Sequence, residues 1–123
     1  MLTYTPRQIQ NLAFRDSHLK QISWRNEQKD ILFHILWKPR SSGQLPCPTE
    51  PSHYELVFKQ ADQMVFQLDF RESRGYPILD RMEIREQLNG WQVELRFQQI
   101  PQGRILLDCE NVIMKPVPQG SSS

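Results

Sequence analysis

Apolar and polar residues alternate along most of this chain, as expected for β-strands that bury one face. In DILFHILW, residues 30–37, one face carries four apolar side chains: Ile31, Phe33, Ile35 and Trp37. The opposite face carries Leu32, His34 and Leu36, so it is also partly apolar. This pattern predicts an interior strand that is covered on both faces, with an N-terminal helix over the second one.

Three more segments have the same period of two. The first begins at His18 and directs Ile22 and Trp24 into the core. The segments HYELVFK (53–59) and MVFQLDF (64–70) follow, and their inward-facing residues are Tyr54, Leu56, Phe58, Met64, Phe66, Leu68 and Phe70. The intervening KQADQ predicts a hairpin turn, which would make these two strands neighbours in one sheet.

The segment RMEIREQLNGWQVELRFQ predicts a second hairpin, because Asn-Gly is the preferred dipeptide for a type I′ turn. A two-residue turn at Asn89-Gly90 pairs the residues of one apolar face: Leu88 with Trp91, Ile84 with Leu95, and Met82 with Phe97. The other face then carries four polar residues: Arg85, Gln92, Glu94 and Arg96. Turn type and hydrophobic pattern agree on this register.

A short helix is predicted at the N-terminus. Thr5 can cap it, Pro6 suits its first position, and Gln8 lies where a capping-box partner belongs. Tyr4 and Ile9 occupy the positions of a hydrophobic staple. At the other end of the chain, RILLDCENVIMKPV predicts a last strand that bends near its Glu-Asn dipeptide, where the alternation slips.

These segments predict a mainly β fold: an antiparallel β-sandwich or a strongly curled sheet of six to seven strands, with one short N-terminal helix. We expect a single β-rich domain over residues 1–117 and a flexible C-terminal tail over 118–123. The connection 39–52 contains four prolines and no hydrophobic period. It is therefore expected to be either a mobile surface loop or a recognition loop.

The composition argues against several classes of function. The formal net charge is +1, without the basic excess by which nucleic-acid-binding proteins neutralise phosphates. No apolar run approaches the roughly 18 residues that span a bilayer, and the N-terminus lacks the pattern of a signal peptide. A cytoplasmic protein is therefore expected, in which Cys47 and Cys109 are reduced thiols. No cofactor is predicted.

Asp16, Ser17 and His18 are the three residue types of a hydrolytic triad, side by side. Triad side chains normally converge from separate parts of a fold, and neighbouring side chains on an extended chain point to opposite faces. We interpret the tripeptide as a turn between helix and strand, in which Asp16 and Ser17 bind nearby backbone amides. No catalytic residue is predicted, and we expect the chain not to be an enzyme.

The histidines do not have the spacing of a metal site. His18, His34 and His53 lie in or next to three different predicted strands, and the sequence leaves open whether they meet in space. No metal ligand is predicted.

The segment RESRGYP, residues 71–77, is the candidate partner-binding site. It combines charged residues with a tyrosine, and the predicted binding residues are Arg71, Glu72, Arg74 and Tyr76. Arginine and tyrosine are enriched at the residues that contribute most to protein interfaces. The alternative is a structural bend in which Tyr76 packs against the edge of the sheet.

Three segments together, FRDSHLKQISW, FQLDFRESRGYPILDRMEI and GWQVELRF with RILLDCENV, resemble small β-rich bacterial immunity-type proteins. Such proteins accompany polymorphic or contact-dependent toxins. The resemblance implies a cytoplasmic protein that binds a cognate toxin domain and blocks it without catalysis of its own. It assigns no toxin-contacting residue.

The sequence thus predicts a non-enzymatic protein-binding module, most plausibly of the immunity type, that blocks a toxin by occlusion. The alternative is a β-domain that binds a small ligand or single-stranded nucleic acid. Single-strand binding would require exposed aromatic residues on a basic face. Most of the aromatic residues lie on predicted apolar faces instead, which favours the protein-binding module.

Overall fold

The computed structural model describes residues 3–25, 27, 29–39, 48, 50–68, 77–98 and 103–117. These residues form one helix and eight strands: α1 (Pro6–Ile9), β1 (His18–Arg25), β2 (Asp30–Trp37), β3 (Ser52–Lys59), β4 (Gln63–Gln67), β5 (Leu79–Gln87), β6 (Gly90–Phe97), β7 (Arg104–Cys109) and β8 (Asn111–Pro116). The strands form two antiparallel sheets of four. The first sheet has the order β1-β2-β3-β8, and the second has the order β4-β7-β6-β5.

The chain passes from one sheet to the other at two adjacent points, between β3 and β4 and between β7 and β8. The second crossing explains why there is one strand more than predicted. The predicted last strand divides into β7 and β8 at Glu110, which gives eight strands rather than six to seven. The predicted hairpin between β3 and β4 is wrong, because these strands belong to different sheets. Glu110 N–H donates to the Lys59 carbonyl at 3.0 Å, so the two crossings are bonded together at a corner of the fold.

Both sheets contribute to one hydrophobic core. Its buried strand residues include Phe33, Ile35, Trp37, Tyr54, Leu56, Phe58, Leu79, Ile84, Val93, Leu95, Phe97, Ile105, Leu107, Val112 and Met114. Trp37 has the ring centroids of Tyr54, Tyr4 and Phe14 at 5.1, 5.7 and 6.0 Å. The predicted inward face of DILFHILW is therefore confirmed.

Helix α1 is a single turn whose start follows the sequence prediction. Thr5 and Gln8 form the capping box, with each side chain bonded to the other's backbone N–H. Tyr4 and Ile9 are both buried in the core, and Tyr4 pairs with Met114 on β8. Ile9 joins the core on the inward face of β2, which includes Phe33, so the prediction that the helix covers the second face of β2 is wrong. No helix among the described residues is long and apolar enough to cross a membrane.

The β5–β6 hairpin forms with its turn one residue earlier than predicted. Gln87 pairs with Gly90, so Leu88 and Asn89 make the turn and the Leu88 side chain is 98% exposed. The register moves by two, to Ile84 with Val93 and Met82 with Leu95. A shift of two preserves the faces, so the division into apolar and polar sides is confirmed although the predicted pairs are wrong.

Two aromatic residues that were predicted to be inward are exposed because their strands lie at sheet edges. Trp24, near the end of the edge strand β1, is 56% exposed. Phe66, on the edge strand β4, is 44% exposed, whereas Met64 and Leu68 pack against the core as predicted. Phe70, most of the connection 39–52 and the predicted tail 118–123 lie outside the described residues.

Candidate functional site

The sequence-predicted site residues Arg71, Glu72, Arg74 and Tyr76 lie outside the described residues, so that site stays a prediction. The strand residues on either side of this segment are described. Gln67 pairs with Arg104, and Leu79 pairs with Phe97. Both flanking residues lie at the end of the second sheet where β7 begins and β6 ends.

The solvent-facing side of the second sheet carries a dense set of charges next to this end. We call it the arginine face, and it consists of three rows that run across the strands. The first row is Arg81, Arg96, Arg104 and Gln67, the second is Glu83, Glu94, Leu106 and Val65, and the third is Arg85, Gln92, Asp108 and Gln63. The alternate residues on each strand face the core, which leaves these for solvent.

Glu94 lies at the centre of the arginine face, and its residue is only 7% exposed. Its carboxylate is 3.1 Å from an Arg96 nitrogen, 3.5 Å from Arg85 and 3.7 Å from Arg104. Glu83 is the second carboxylate, with ion pairs to Arg85 and, at 3.3 Å, to Arg81. Arginines that stand side by side on adjacent strands repel one another, and these two carboxylates offset that repulsion.

The carboxylates do not neutralise the arginine face fully. The three rows together hold four guanidinium groups and three carboxylates: the four arginines share Glu83 and Glu94, and Asp108 in the third row adds one more negative charge. Arg96 Nε is also buried with no hydrogen-bond partner in the described part of the chain. A partner cannot reach that buried atom, but the Arg81 and Arg85 side chains are more than half exposed. Exposed guanidinium groups bind carboxylates and phosphates, often in pairs of parallel hydrogen bonds. The face can therefore bind an anionic group.

In the Asp16-Ser17-His18 tripeptide, the Asp16 and Ser17 side chains make hydrogen bonds that hold separate parts of the fold together. Ser17 is fully buried, and its Oγ accepts a hydrogen bond from the Lys38 backbone N–H at 3.1 Å. Asp16 has a left-handed φ of 71°, and its carboxylate accepts from the Gln98 side chain at 2.7 Å. The predicted bond from Ser17 to a backbone amide is thus present, but the amide belongs to a residue 21 positions away.

Two of the three histidines meet. His34 Nε2 lies 2.9 Å from His53 Nδ1 on the solvent-facing side of the first sheet, where His34 is opposite Glu55 and therefore diagonal to His53. The sequence left open whether the histidines meet, and it is the β2–β3 register that brings these two together. Among the described residues, no group of three or more histidine, cysteine or acidic side chains is arranged to hold a metal ion.

The pKa of His34 is lowered from its usual 6.5, mainly because partial burial disfavours the charged imidazole. The nearby His53 and Lys20 lower it further, and Glu55 opposes them. In the unfolded chain His34 titrates near 6.5, so the unfolded state takes up this proton more readily than the folded one. The contribution of His34 to stability is therefore present above pH 6.5 and is lost as the pH falls below it.

We expect an NMR titration of the imidazole protons to place the pKa of His34 below 6.5. In the His53→Gln variant this pKa should rise only part of the way back, because burial remains the larger cause. His18→Gln is the control, since His18 does not contribute to the shift, and it should leave the pKa of His34 unchanged. A wild-type pKa at or above 6.5 would contradict the assignment.

An open groove lies at the corner where the chain crosses between the sheets. Its lining includes Asp62, Asp108, Cys109 and Gly90. Burial raises the pKa of the Cys109 thiol to about 12, and the charge of Asp108 adds to this effect. The thiol therefore stays protonated near neutral pH, and Cys109 does not supply a thiolate nucleophile or metal ligand to the groove.

The arginine face is thus the candidate binding site of the described surface, because it gathers four arginines around two glutamates. It is a sheet surface that presents arginines held by one buried and one half-buried glutamate. Comparisons with protein-family models, with curated proteins and with solved structures found no match for this chain. We therefore infer its function from its own residues.

Proposed function

We propose that this protein is a non-enzymatic protein-binding module of the immunity type, and that the arginine face is its docking surface. The observation that supports this most directly is the sharing of Glu94 among three arginines. This arrangement leaves positive charge in excess on a face without lysine. Arginine is enriched and lysine depleted at protein interfaces relative to the rest of the surface.

The ion pairs also prepare these side chains for binding. A free arginine loses rotamer freedom when a partner fixes it, which weakens association. Arg85, Arg96 and Arg104 are already restrained by Glu94, and Arg81 by Glu83. Arg96 and Arg104 lie on β6 and β7, which are paired with a strand on both sides. A partner would therefore meet guanidinium groups close to their bound positions.

The partner that fits this surface is a protein with carboxylates on its docking face. Planar guanidinium groups bind carboxylates through two parallel hydrogen bonds, which fix orientation as well as distance. In the immunity-type proposal, the arginine face of the second sheet lies over the toxin's active site and excludes its substrate. Inhibition by occlusion requires no catalytic group on this chain.

Single-stranded nucleic acid fits this surface less well. Proteins that bind it without sequence preference stack its bases on aromatic side chains. The three rows of the arginine face contain no aromatic residue. The exposed aromatic residues of the described chain are Trp24 and Phe66, and Trp24 lies on the first sheet.

The test uses the protein encoded directly upstream of this chain's gene, purified and titrated with the chain by calorimetry. We expect wild type to bind it with a Kd in the nanomolar range and to inhibit its activity. The double variant R81Q/R104Q should bind more than tenfold more weakly, because it removes two of the exposed guanidinium groups. R25Q is the matched control, since Arg25 is an exposed arginine on the first sheet.

The same experiment separates the arginine face from the sequence-predicted loop. The charge-reversed variant R71E/R74E should also weaken binding more than tenfold if the loop contributes. Wild-type affinity in R81Q/R104Q, with an unchanged thermal midpoint, would exclude the arginine face. No binding of the upstream protein by wild type would overturn the immunity-type proposal. Binding of a labelled oligothymidine that is lost in R81Q/R104Q would overturn it in favour of nucleic acid.

A further inference from the structure

Among the described residues, strand β4 is paired on one side only. It is hydrogen-bonded to β7 on one side, and no described strand pairs with its other side. An edge strand presents a row of N–H and C=O groups that can add a further strand. At five residues β4 is of ordinary length for a strand in a globular protein.

The other three sheet edges are each covered in part or carry charges. On the outer side of β8, Tyr4 and Met114 exchange backbone hydrogen bonds of 2.7 and 3.2 Å. The start of β1 is bonded to the chain before β5, where Leu19 N–H donates to the Pro77 carbonyl at 2.9 Å. Strand β5 carries alternating charges, and its register is irregular near its start. Charges, irregular register and covering segments are the usual means by which proteins block edge pairing.

In the part of the chain that the structure describes, strand β4 has none of these protections. The run from Gln63 to Leu68 contains no charged residue and no proline, and its pairing with β7 has no register shift. Val65 is 43% exposed and Phe66 44%, which makes them two of the exposed large hydrophobic residues among the described residues. An uncharged edge strand with exposed apolar side chains is a surface for strand addition.

We infer that β4 pairs with β4 of a second copy of this chain, antiparallel and centred on Val65. In this register Val65 faces its own counterpart, Gln63 faces Gln67, and Met64 faces Phe66. Each pair is chemically matched. Glutamine amides can both donate and accept, methionine sulfur packs favourably against aromatic rings, and valines are good cross-strand neighbours. The strand is thus self-complementary, as a two-fold interface requires.

The rows of the arginine face continue across this pairing without placing like charges together. Leu106 and Val65 are adjacent in the middle row, so the two copies join into an apolar stripe of two valines between two leucines. The arginine row ends in Gln67, which then meets Gln63 of the second copy. Gln63 lies next to Asp108 in its own sheet, so the row of one copy leads toward an acidic residue of the other. This charge pattern favours a second copy as the occupant.

The contact between two five-residue strands is smaller than a standard interface of roughly 800 Å² per partner, so we expect a weak dimer with a Kd of about 10 to 500 µM. Sedimentation equilibrium across this range of concentrations should show the monomer–dimer equilibrium. Val65→Lys should weaken dimerisation more than tenfold, because two lysines would face each other at its centre. The control is Leu88→Lys, which introduces the same charge at a fully exposed apolar residue in the β5–β6 turn, outside β4, and should dimerise like wild type.

A disulfide test checks the register in a Cys47→Ser background. Antiparallel partners have Cβ atoms about 4.5 to 5.5 Å apart, so V65C should cross-link to its own counterpart under mild oxidation. Q63C should not, because two Gln63 positions would be separated along the strands by about 13 Å.

Three results would overturn the inference. They are a monomer at every concentration without a V65C disulfide, a dimer that V65K leaves intact, and equal cross-linking of V65C and Q63C. The inference does not depend on the proposed function, and R81Q/R104Q should dimerise like wild type.

Discussion

Replacing Gly90 with alanine is expected to destabilise the protein by about 3 to 5 kcal/mol. Gly90 begins β6 with a φ of +154°, a conformation that favours glycine. An added Cβ would overlap the carbonyl oxygen of Cys109, and it would lie 3.1 Å from the carbonyl carbon of Cys109 and from Glu110 Cα. These are backbone atoms at the point where the chain crosses between the sheets, so they cannot move independently.

Urea unfolding followed by circular dichroism measures this effect. Leu88→Ala is the control in the same turn, and it should change the free energy of unfolding by less than about 0.5 kcal/mol because its side chain is exposed. A loss below about 1 kcal/mol in Gly90→Ala would show that the backbone at Cys109 can retreat from an added methyl group.

Replacing Trp37 with alanine is expected to lower the free energy of unfolding by about 3 to 5 kcal/mol. Trp37 is fully buried among Tyr4, Phe14 and Tyr54, so its removal leaves a cavity lined by aromatic rings. Its indole N–H also donates to the Ala13 carbonyl at 2.8 Å, which ties the segment after α1 to β2. Both the packing and this tie are lost in Trp37→Ala.

Trp24→Ala provides a matched control, since it makes the same change at a side chain that is 56% exposed. It should lower the free energy of unfolding by less than about 1 kcal/mol. Trp37→Phe retains a ring but removes the indole donor, so it should fall between the two, at about 1 to 3 kcal/mol. Equal losses in Trp37→Ala and Trp24→Ala would contradict the position of Trp37 at the centre of the core.

The sequence was most informative where a local pattern determines the structure. The capping box of Thr5 and Gln8 depends only on residues three apart, and it forms as predicted. The polar side of the β5–β6 hairpin follows from strand parity, so Arg85, Glu94 and Arg96 were predicted on one face. The turn itself was predicted wrongly. Gly90 is required by its close contact with the Cys109 backbone, not by a type I′ turn.

Features that depend on which strands are neighbours could not be predicted. The turn residues at 59–63 are typical of a hairpin, but they also suit the corner by which the chain leaves the first sheet. The meeting of His34 with His53, and the contribution of Arg104 to the arginine face, require the β2–β3 and β6–β7 registers. Trp24 has the period of a core residue and is exposed only because β1 lies at an edge.

The adjacent crossings at the corner determine the order in which a newly made chain can complete its sheets. Strands β1, β2 and β3 pair in sequence order, and so do β5 and β6, so these contacts can form as soon as the residues are available. Strand β4 must wait for β7, which ends 42 residues after Gln67. At about 5 to 20 residues per second, synthesis leaves β4 without its neighbour β7 for about 2 to 8 s. During this interval an uncharged strand is open on both edges, so aggregation of nascent chains is most favoured there.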